Sequence, residues 1–211
     1  MAAARDARRF IPAAERNAEP IARALTRLLT RPGVLLELAS GTGQHAARIA
    51  PRLPHLVWQP SEADPGLFDS IAAWTAGVGN VRPPRPIDVT APDWAVDDLA
   101  AELVAVYASN LLHIASWTVA RGLLAGAGRI LPPGGLLLLY GPYFRRGHPA
   151  GDGNRRFDAE LRDANTEWGI RTLEAVAAEA AENGLSFREA VEMPANNLIL
   201  VFAGATGGRD D

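Results

Sequence analysis

The chain lacks cysteine altogether, and it carries only four histidines and a formal net charge of −3. Without cysteine, disulfides, thiolate zinc sites and a cysteine nucleophile are excluded. The histidines at positions 45, 55, 113 and 148 include no i, i+4 pair that would place two imidazoles on one helix face, so we expect no metal site. The small net charge gives no electrostatic reason to expect nucleic acid as a partner.

Long apolar runs are also missing. Residues 134–140 form an apolar run that suits a buried strand and falls far short of the roughly 18 residues of a membrane-spanning helix. Residues 1–10 lack the apolar core of a signal peptide. We therefore expect a cytoplasmic protein without a membrane partner, either a monomer or a homodimer.

Short apolar runs of strand length alternate with segments of helical spacing. Residues 135–140 are apolar at every position, which is typical of a strand in a parallel sheet with helices on both faces. The pattern predicts a helix that starts at Pro20 and ends before Arg31, helices over residues 44–50, 65–76 and 117–130, another starting near Pro92, and strands over residues 34–38, 56–59, 86–89, 103–108 and 135–140.

The C-terminal third predicts a different arrangement. Residues 157–183 have a largely helical pattern that Gly184 ends, and strands follow over residues 185–191 and 198–202. The six residues between these strands are too few for a parallel crossover, so the pair is predicted to be antiparallel. The whole is an α/β fold with a mostly parallel seven-stranded sheet, divided into an N-terminal segment capping the site (1–19), a single domain (20–203) and a flexible tail (204–211).

A carboxylate and two glycines follow the first predicted strand. Residues 37–43 read Glu-Leu-Ala-Ser-Gly-Thr-Gly, so Glu37 ends the strand while Gly41 and Gly43 lie in the turn. Backbone can approach a ligand closely at such glycines, and ligands of open α/β sheets bind beyond the carboxyl ends of the strands. The loop is therefore a candidate ligand site, although the glycines could instead serve packing alone.

Further carboxylates follow the next two strands. Glu62 lies nineteen residues after Gly43, where a carboxylate can accept the hydroxyl protons of a ribose. Asp64 is the alternative for that contact, and either residue could instead cap the next helix. Asp88 could accept a hydrogen bond from an adenine amino group or remain a solvated loop residue.

The same loop allows a nicotinamide dinucleotide as an alternative ligand. Gly41, Gly43 and Ala46 satisfy the G-x-G-x-x-G/A pattern, and Glu62 stands at the expected distance from it. Glu37 and the predicted antiparallel hairpin are not features of a dehydrogenase. An NAD-dependent oxidoreductase is therefore the least favoured of our hypotheses.

Several motifs together resemble one family. The chain is similar to the DUF938 or methyltransferase-like 26 family, within the class I S-adenosylmethionine-dependent methyltransferases, from about Arg16 to Phe202. The motifs that carry this resemblance are Arg16-Asn17, Pro20-Ile21, residues 37–45, Trp58-Gln59-Pro60-Ser61, Leu112-His113-Ile114, Tyr140-Gly141-Pro142-Tyr143, Trp168-Gly169-Ile170-Arg171 and Met193-Pro194-Ala195-Asn196-Asn197-Leu198.

The resemblance implies a Rossmann-like fold and S-adenosylmethionine as the cofactor. It implies that Glu37, Gly41 and Gly43 line the methionine and ribose. It also implies that Glu62 binds the ribose hydroxyls, that Asp88 binds the adenine, and that Asn110 lies near the methyl group. The implied cofactor-binding residues are Glu37, Ala39, Ser40, Gly41, Thr42, Gly43, Glu62, Asp88 and Asn110. Departures from the family pattern at Ser109, Ala115, residues 149–153 and Thr172 fall near the implied acceptor pocket, so the acceptor does not follow from the resemblance.

Candidate residues for the acceptor side come from the second half of the chain. His113 and His148 are candidate general bases, because an imidazole is suited to accept a proton near neutral pH. Tyr143 and Tyr140 could stack on an acceptor or donate a hydrogen bond to it, and Arg16 with Asn17 could cover the pocket. The histidines and tyrosines also have structural alternatives. His113 could be a buried histidine with a structural role, His148 could face solvent, and the tyrosines could serve aromatic packing. Asn196 and Asn197 are predicted to satisfy backbone groups in the hairpin turn rather than to act in catalysis, because amide side chains suit left-handed positions.

Two hypotheses share this fold. The favoured one is a methyltransferase that acts on a small-molecule acceptor, in keeping with the modest length of the chain. The alternative is a protein that binds S-adenosylmethionine without transferring its methyl group and serves as a regulatory partner. Cofactor binding alone does not separate these two hypotheses, whereas consumption of the methyl donor does.

Overall fold

A computed structural model describes residues 6–205, and their contacts divide the chain into two compact units, one ending at Asp88 and one beginning at Val89. No helix within residues 6–205 has both the length and the apolar character needed to cross a membrane. The first unit contains α1 (Pro12–Leu28), β1 (Gly33–Leu38), α2 (Gln44–Ile49), β2 (Leu56–Glu62), α3 (Phe68–Thr75) and β3 (Arg85–Pro86). The second contains β4 (Leu103–Ser109), α4 (Trp117–Ile130), β5 (Leu136–Pro142), α5 (Asp152–Ala164), α6 (Leu173–Glu182), β6 (Leu185–Met193) and β7 (Asn197–Gly204).

Within the first unit the strands lie in the order β3-β2-β1, and within the second unit they lie in the order β4-β5-β7-β6. In the first unit β1 pairs with β2, and β2 with β3, in parallel. In the second unit β4 and β5 are parallel, whereas β7 is antiparallel to both β5 and β6. The predicted α/β fold, with a mostly parallel sheet and a C-terminal antiparallel hairpin, is confirmed.

Helix α1 begins eight residues before the predicted start at Pro20, so that prediction is wrong. Pro12 occupies the first turn, where a proline ring is favourable, and Pro20 lies inside the helix. Burial of the apolar face of α1, which includes the fully buried Ile21 and Leu25, stabilises the helix despite the interior proline. The helix packs on α2. The predicted boundary between residues 19 and 20 falls within this helix, and the domain division stays a prediction.

The helix predicted to start near Pro92 is also wrong. This part of the chain contains only a short 3-10 turn, Asp97–Leu99, and Ala95 has a left-handed φ of 51° that no helix continues through. Trp94 is buried against α4 at Gly126, where a Cβ would lie 2.0 Å from the indole ring. The packing of Trp94 against α4 therefore takes the place of the helix that was expected near Pro92. The helix against which it packs, α4, has the predicted bounds.

Other elements also differ from their predicted bounds. The helical segment predicted over residues 157–183 is two helices, because residues 165–172 separate α5 from α6. Thr172 starts the second helix by accepting a hydrogen bond on its hydroxyl from the amide of Ala175 at 3.2 Å. The third strand covers only Arg85–Pro86, rather than residues 86–89. Residues 206–211 of the predicted tail lie outside the described residues.

Candidate functional site

The glycine loop, residues 39–43, joins β1 to α2 through three left-handed backbone positions. Ala39, Gly41 and Gly43 have φ values of 51°, 57° and 87°. A Cβ on Gly43 would lie 2.6 Å from the Cα of Ile71, so close packing on α3 requires this glycine. A Cβ on Gly41 would meet nothing within 4 Å. The loop therefore has one glycine committed to packing and one that leaves open space for a ligand.

Glu62, at the end of β2, is bonded to this loop. Its Oε2 accepts a hydrogen bond of 2.8 Å from the amide of Gly41, and its Oε1 accepts from the amides of Ala63 and Asp64 at 2.8 and 3.3 Å. Asp64 caps the following turn by accepting from the amide of Gly66 at 2.8 Å. A carboxylate has about four acceptor positions, so Glu62 retains about one for a ligand.

Glu37 is almost fully buried and holds the start of the loop. Its Oε2 accepts hydrogen bonds from the indole Nε1 of Trp58 at 2.9 Å and from the hydroxyl of Ser40 at 2.8 Å. Burial raises the pKa of the Glu37 carboxyl to about 7; these two hydrogen bonds oppose the rise, and the charge of Glu62 adds to it. Sequence reasoning missed Trp58, although it belongs to one of the motifs that carry the family resemblance.

The remaining predicted site residues of the first unit lie outside this hydrogen-bonded group. Thr42 is buried within the loop itself. Asp88 is exposed beyond β3. Arg16 is exposed and Asn17 half-buried on α1. The cofactor contact of Asp88 and the covering role of Arg16 and Asn17 stay predictions.

In the second unit, Asn110, His113 and Tyr143 come together around Gly141. Asn110 follows β4 with a left-handed φ of 59°, and His113 ends a 3-10 turn three residues later. A Cβ on Gly141 would lie 2.3 Å from Nε2 of His113 and 3.3 Å from Oδ1 of Asn110. The ring of Tyr143 meets the His113 ring edge to face, with centroids 4.9 Å apart. Gly141 is thus a site residue that sequence reasoning did not single out.

His113 is 1% exposed, and neither nitrogen of its ring makes a hydrogen bond of ordinary geometry to another described residue. Burial lowers the pKa of the His113 imidazole to about 3, and the charge of Arg171 contributes; a Gly169 backbone group and Asp158 oppose the shift. Arg171 itself donates to the carbonyl oxygens of Leu112 and Ala115, on either side of His113. The imidazole is therefore neutral throughout the physiological range.

Tyr143 of this group and Tyr140, which lies in β5, are neutral as well. Burial raises the pKa of Tyr140 to about 12 and the pKa of Tyr143 well above its ordinary value. Neutral phenol and imidazole groups can donate or accept hydrogen bonds. An imidazole whose conjugate acid has a pKa near 3 is a weak general base at neutral pH. The chemistry available in this group is hydrogen bonding and orientation.

His148 lies elsewhere in the second unit, on the wall of a small cavity of about 80 Å³. Tyr143, Asn154 and the ion pair between Arg145 and Glu192 at 2.7 Å also line this cavity. His148 is exposed, whereas Asn154 is buried.

In the hairpin turn near this cavity, Asn197 satisfies a backbone group as predicted, because its Nδ2 donates a hydrogen bond of 3.0 Å to the carbonyl oxygen of Pro194. Asn196 has a φ of 57°, and Ala195 beside it has a φ of 59°. Asn197 has a φ of −85° and is not left-handed. The reason is that Asn197 begins β7, where extended backbone is required.

The family model described as "Protein of unknown function (DUF938)" matches residues 8–204. The chain belongs to the DUF938 family. The family predicted from the sequence motifs is therefore confirmed, and the matched residues span both units of this DUF938 protein.

Several solved structures similar to this DUF938 chain are named methyltransferases or methyltransferase family proteins. An O-methyltransferase family protein from Burkholderia thailandensis matches with a TM-score of 0.74 and 17% identity over 93% of this chain and 58% of its own. CalO1, a methyltransferase in calicheamicin biosynthesis in its SAH-bound form, matches with a TM-score of 0.71 and 16% identity over 92% and 54%. Human N-acetylserotonin methyltransferase in complex with SAM matches with a TM-score of 0.70 and 16% identity over 90% and 52%.

These comparisons show the fold. The chain spans between 52% and 58% of the length of these three structures. At 16–17% identity the likeness extends to the Rossmann-like arrangement of the strands and helices. Fold alone does not determine chemistry, so the activity has to be argued from the residues described above.

Proposed function

We propose that this DUF938 protein is an S-adenosylmethionine-dependent methyltransferase that acts on a small-molecule acceptor. The observation that carries the proposal is the open face of Gly41 beside the carboxylate of Glu62 at the end of β2. Three of the fold relatives are named methyltransferases or methyltransferase family proteins; two of these are described with SAM or SAH bound, which supports the choice of cofactor. N-acetylserotonin, named for the human relative, is a small molecule and supports the acceptor class.

The residues of the glycine loop fit an adenosyl cofactor. The remaining acceptor position of Glu62 can take one ribose hydroxyl, because three backbone amides already use the others. Glu37 acts indirectly, since its hydrogen bonds to Ser40 and Trp58 hold the start of the loop. In this proposal Ala39, Ser40, Thr42 and Gly43 shape the loop, Asp88 accepts from the adenine amino group, and Asn110 lies toward the methyl group.

The sulfonium of the bound cofactor supplies an already activated methyl group, so orientation and exclusion of water can provide most of the rate. We assign His113 to the acceptor as a neutral hydrogen-bonding partner, because its ring is buried with both nitrogens unused. Tyr143 and Tyr140 would pack on the acceptor as neutral phenols. His148, which is exposed, is the proposed base for an acceptor that must lose a proton, and Arg16 with Asn17 would cover the pocket.

Turnover tests this proposal. Purified protein is incubated with methyl-labelled S-adenosylmethionine and fractions of a small-molecule cell extract, and label transfer and S-adenosylhomocysteine are measured. Transfer into one fraction, lost when that fraction is omitted, is the expected result. Tight cofactor binding with no transfer to any fraction would favour a protein that binds the cofactor without using it. Binding of NAD in place of S-adenosylmethionine would overturn the proposal.

A further inference from the structure

Residues 6–11, here called the N-terminal strap, lie against the elements that flank the glycine loop. The amide of Arg9 donates a hydrogen bond of 2.9 Å to the hydroxyl of Ser70 in α3. The amide of Ile11 donates one of 2.6 Å to Oε1 of Gln44, the first residue of α2. Both receiving side chains are 1% exposed. The strap is therefore anchored at two buried side chains, although Phe10 and Ile11 themselves are exposed.

Both anchors continue to the same loop residue. The hydroxyl of Ser70 donates to the carbonyl oxygen of Thr42 at 2.9 Å. Oε1 of Gln44 accepts a second hydrogen bond, of 3.0 Å, from the hydroxyl of Thr42. The strap thus reaches the backbone and the side chain of Thr42 through one intervening residue in each case.

Thr42 stands between Gly41 and Gly43, the two glycines of the loop. Glycine adopts positive and negative φ with similar ease, so a loop with two glycines is held by its hydrogen bonds more than by its own torsional preferences. The bond from Ser70 holds the peptide group between Thr42 and Gly43, and the bond to Gln44 holds the Thr42 side chain. Through them, the position of the strap affects the conformation of the loop at the proposed cofactor site.

Trp74 in α3 clamps the strap. Its indole Nε1 donates to the carbonyl oxygen of Arg9 at 2.8 Å, and the ring of Phe10 lies 6.4 Å away. The guanidinium carbons of Arg8 and Arg48 each lie 5.5 Å from the centroid of the Trp74 ring, a distance typical of cation–π contacts. Trp74 thus binds three consecutive strap residues and one residue of α2.

We propose that the N-terminal strap positions the glycine loop for its cofactor, with Gln44 and Ser70 as positioning residues and Trp74 as the clamp. The effect on cofactor affinity rests on the proposed function. The coupling between strap and loop rests only on the hydrogen bonds above. Because coupling between two sites is reciprocal, a bound cofactor also makes the strap dock more firmly.

The test is Trp74→Ala, which removes the clamp and leaves Gln44, Ser70 and Thr42 in place. Hydrogen exchange is measured at the amides of Arg9 and Ile11 and at those of the glycine loop, without and with S-adenosylmethionine. We expect faster exchange in both places, and a dissociation constant for the cofactor about three to tenfold higher, as loss of about one hydrogen bond implies. In the unchanged protein, the cofactor is expected to slow exchange at Arg9 and Ile11.

Two further variants separate positioning from general destabilisation. Trp74→Phe keeps an aromatic ring at this position but loses the indole N–H that bonds the carbonyl of Arg9, so we expect intermediate exchange and affinity. Thr75→Val removes a hydroxyl of α3 that bonds the carbonyl of Ile71 in the same helix at 2.8 Å, and we expect neither the strap nor the loop to respond.

The outcomes distinguish this proposal from the proposed function. Faster exchange at Arg9 and Ile11 with an unchanged loop and unchanged affinity would overturn the coupling. Unchanged exchange at Arg9 and Ile11 in Trp74→Ala would overturn the clamp. If the unchanged protein does not bind S-adenosylmethionine, the proposed function fails, while loop exchange in the ligand-free variants still decides whether the strap positions the loop.

Discussion

The carboxylate of Glu62 and the backbone amide of Gly41 are joined by a hydrogen bond of 2.8 Å. Glu62→Gln replaces one acceptor oxygen with an amide nitrogen, so at least one backbone amide at this site loses its partner. Hydrogen bonds to charged groups contribute about 1.5–3 kcal/mol, and we expect S-adenosylmethionine to bind about tenfold or more weakly in calorimetry. Asp64→Asn keeps an acceptor at an exposed turn cap and should bind the cofactor normally. Unchanged binding in Glu62→Gln would remove Glu62 from the site.

Gly41 and Gly77 form a matched pair for a second prediction. Both have positive φ, 57° and 81°, and a Cβ would meet nothing within 4 Å at either position. Substitution by alanine should lower the free energy of unfolding by about 1–2 kcal/mol in each case, because an L-residue is strained there. Only Gly41→Ala should also weaken cofactor binding, by about tenfold or more. Equal binding by both variants would show that the open face of Gly41 receives no ligand.

The buried carboxyl of Glu37 predicts a pH dependence of stability. Its pKa is about 7 in the folded chain against an ordinary value of 4.5, so the folded state keeps a proton that the unfolded chain releases. The stabilising contribution is complete below about pH 4.5 and is lost as the pH rises through 7, and it amounts to about 3 kcal/mol. Denaturant unfolding of Glu37→Gln and of the unchanged protein at pH 5 to 8 measures it.

The difference between these two curves is the quantity to follow. Burial lowers the pKa of His45 to about 4 and that of His113 to about 3, and these histidines make stability rise with pH in an overlapping range. Both proteins contain both histidines, so their contributions largely cancel. The stability of Glu37→Gln relative to the unchanged protein should increase as the pH rises. Parallel curves would mean that Glu37 does not titrate in this range.

Replacement of His113 by leucine is expected to raise stability and to lower activity. A buried polar side chain without hydrogen bonds costs about 1–3 kcal/mol, so His113→Leu should unfold at higher temperature. The stabilising contribution of a neutral His113 is present above pH 6.5 and lost as the pH falls toward its folded pKa of about 3, so the advantage of the leucine variant should grow in acid. Methyl transfer should fall sharply. A variant that is destabilised and fully active would contradict both roles.

Much of the fold could be predicted from the pattern of apolar residues. The bounds of α4, the position of β1 and the antiparallel hairpin all follow from hydrophobic periodicity and connection length. The errors came from long-range packing. Gly126 makes room for Trp94 in place of the expected helix near Pro92, and the apolar face of α1 holds Pro20 inside the helix. Contacts of this kind leave no local signal in the sequence.

The candidate site was predictable in part as well. Strand ends located Glu37 and Glu62, since carboxylates beyond parallel strands meet at one edge of a sheet. The sequence could not show that Trp58 and Ser40 bind Glu37, or that backbone amides take three acceptor positions of Glu62. The sequence also could not show that the buried His113 ring lacks hydrogen bonds of ordinary geometry, because this depends on the side chains that surround it in the folded chain.

The central claim is that the glycine loop binds an adenosyl sulfonium cofactor. Isothermal titration calorimetry of the purified protein with S-adenosylmethionine, S-adenosylhomocysteine and NAD tests it without knowledge of the acceptor. We predict saturable binding of the first two compounds at one site per chain, weakened by Gly41→Ala and not by Gly77→Ala, with no binding of NAD. Binding of NAD alone, or of none of the three compounds, would contradict the account.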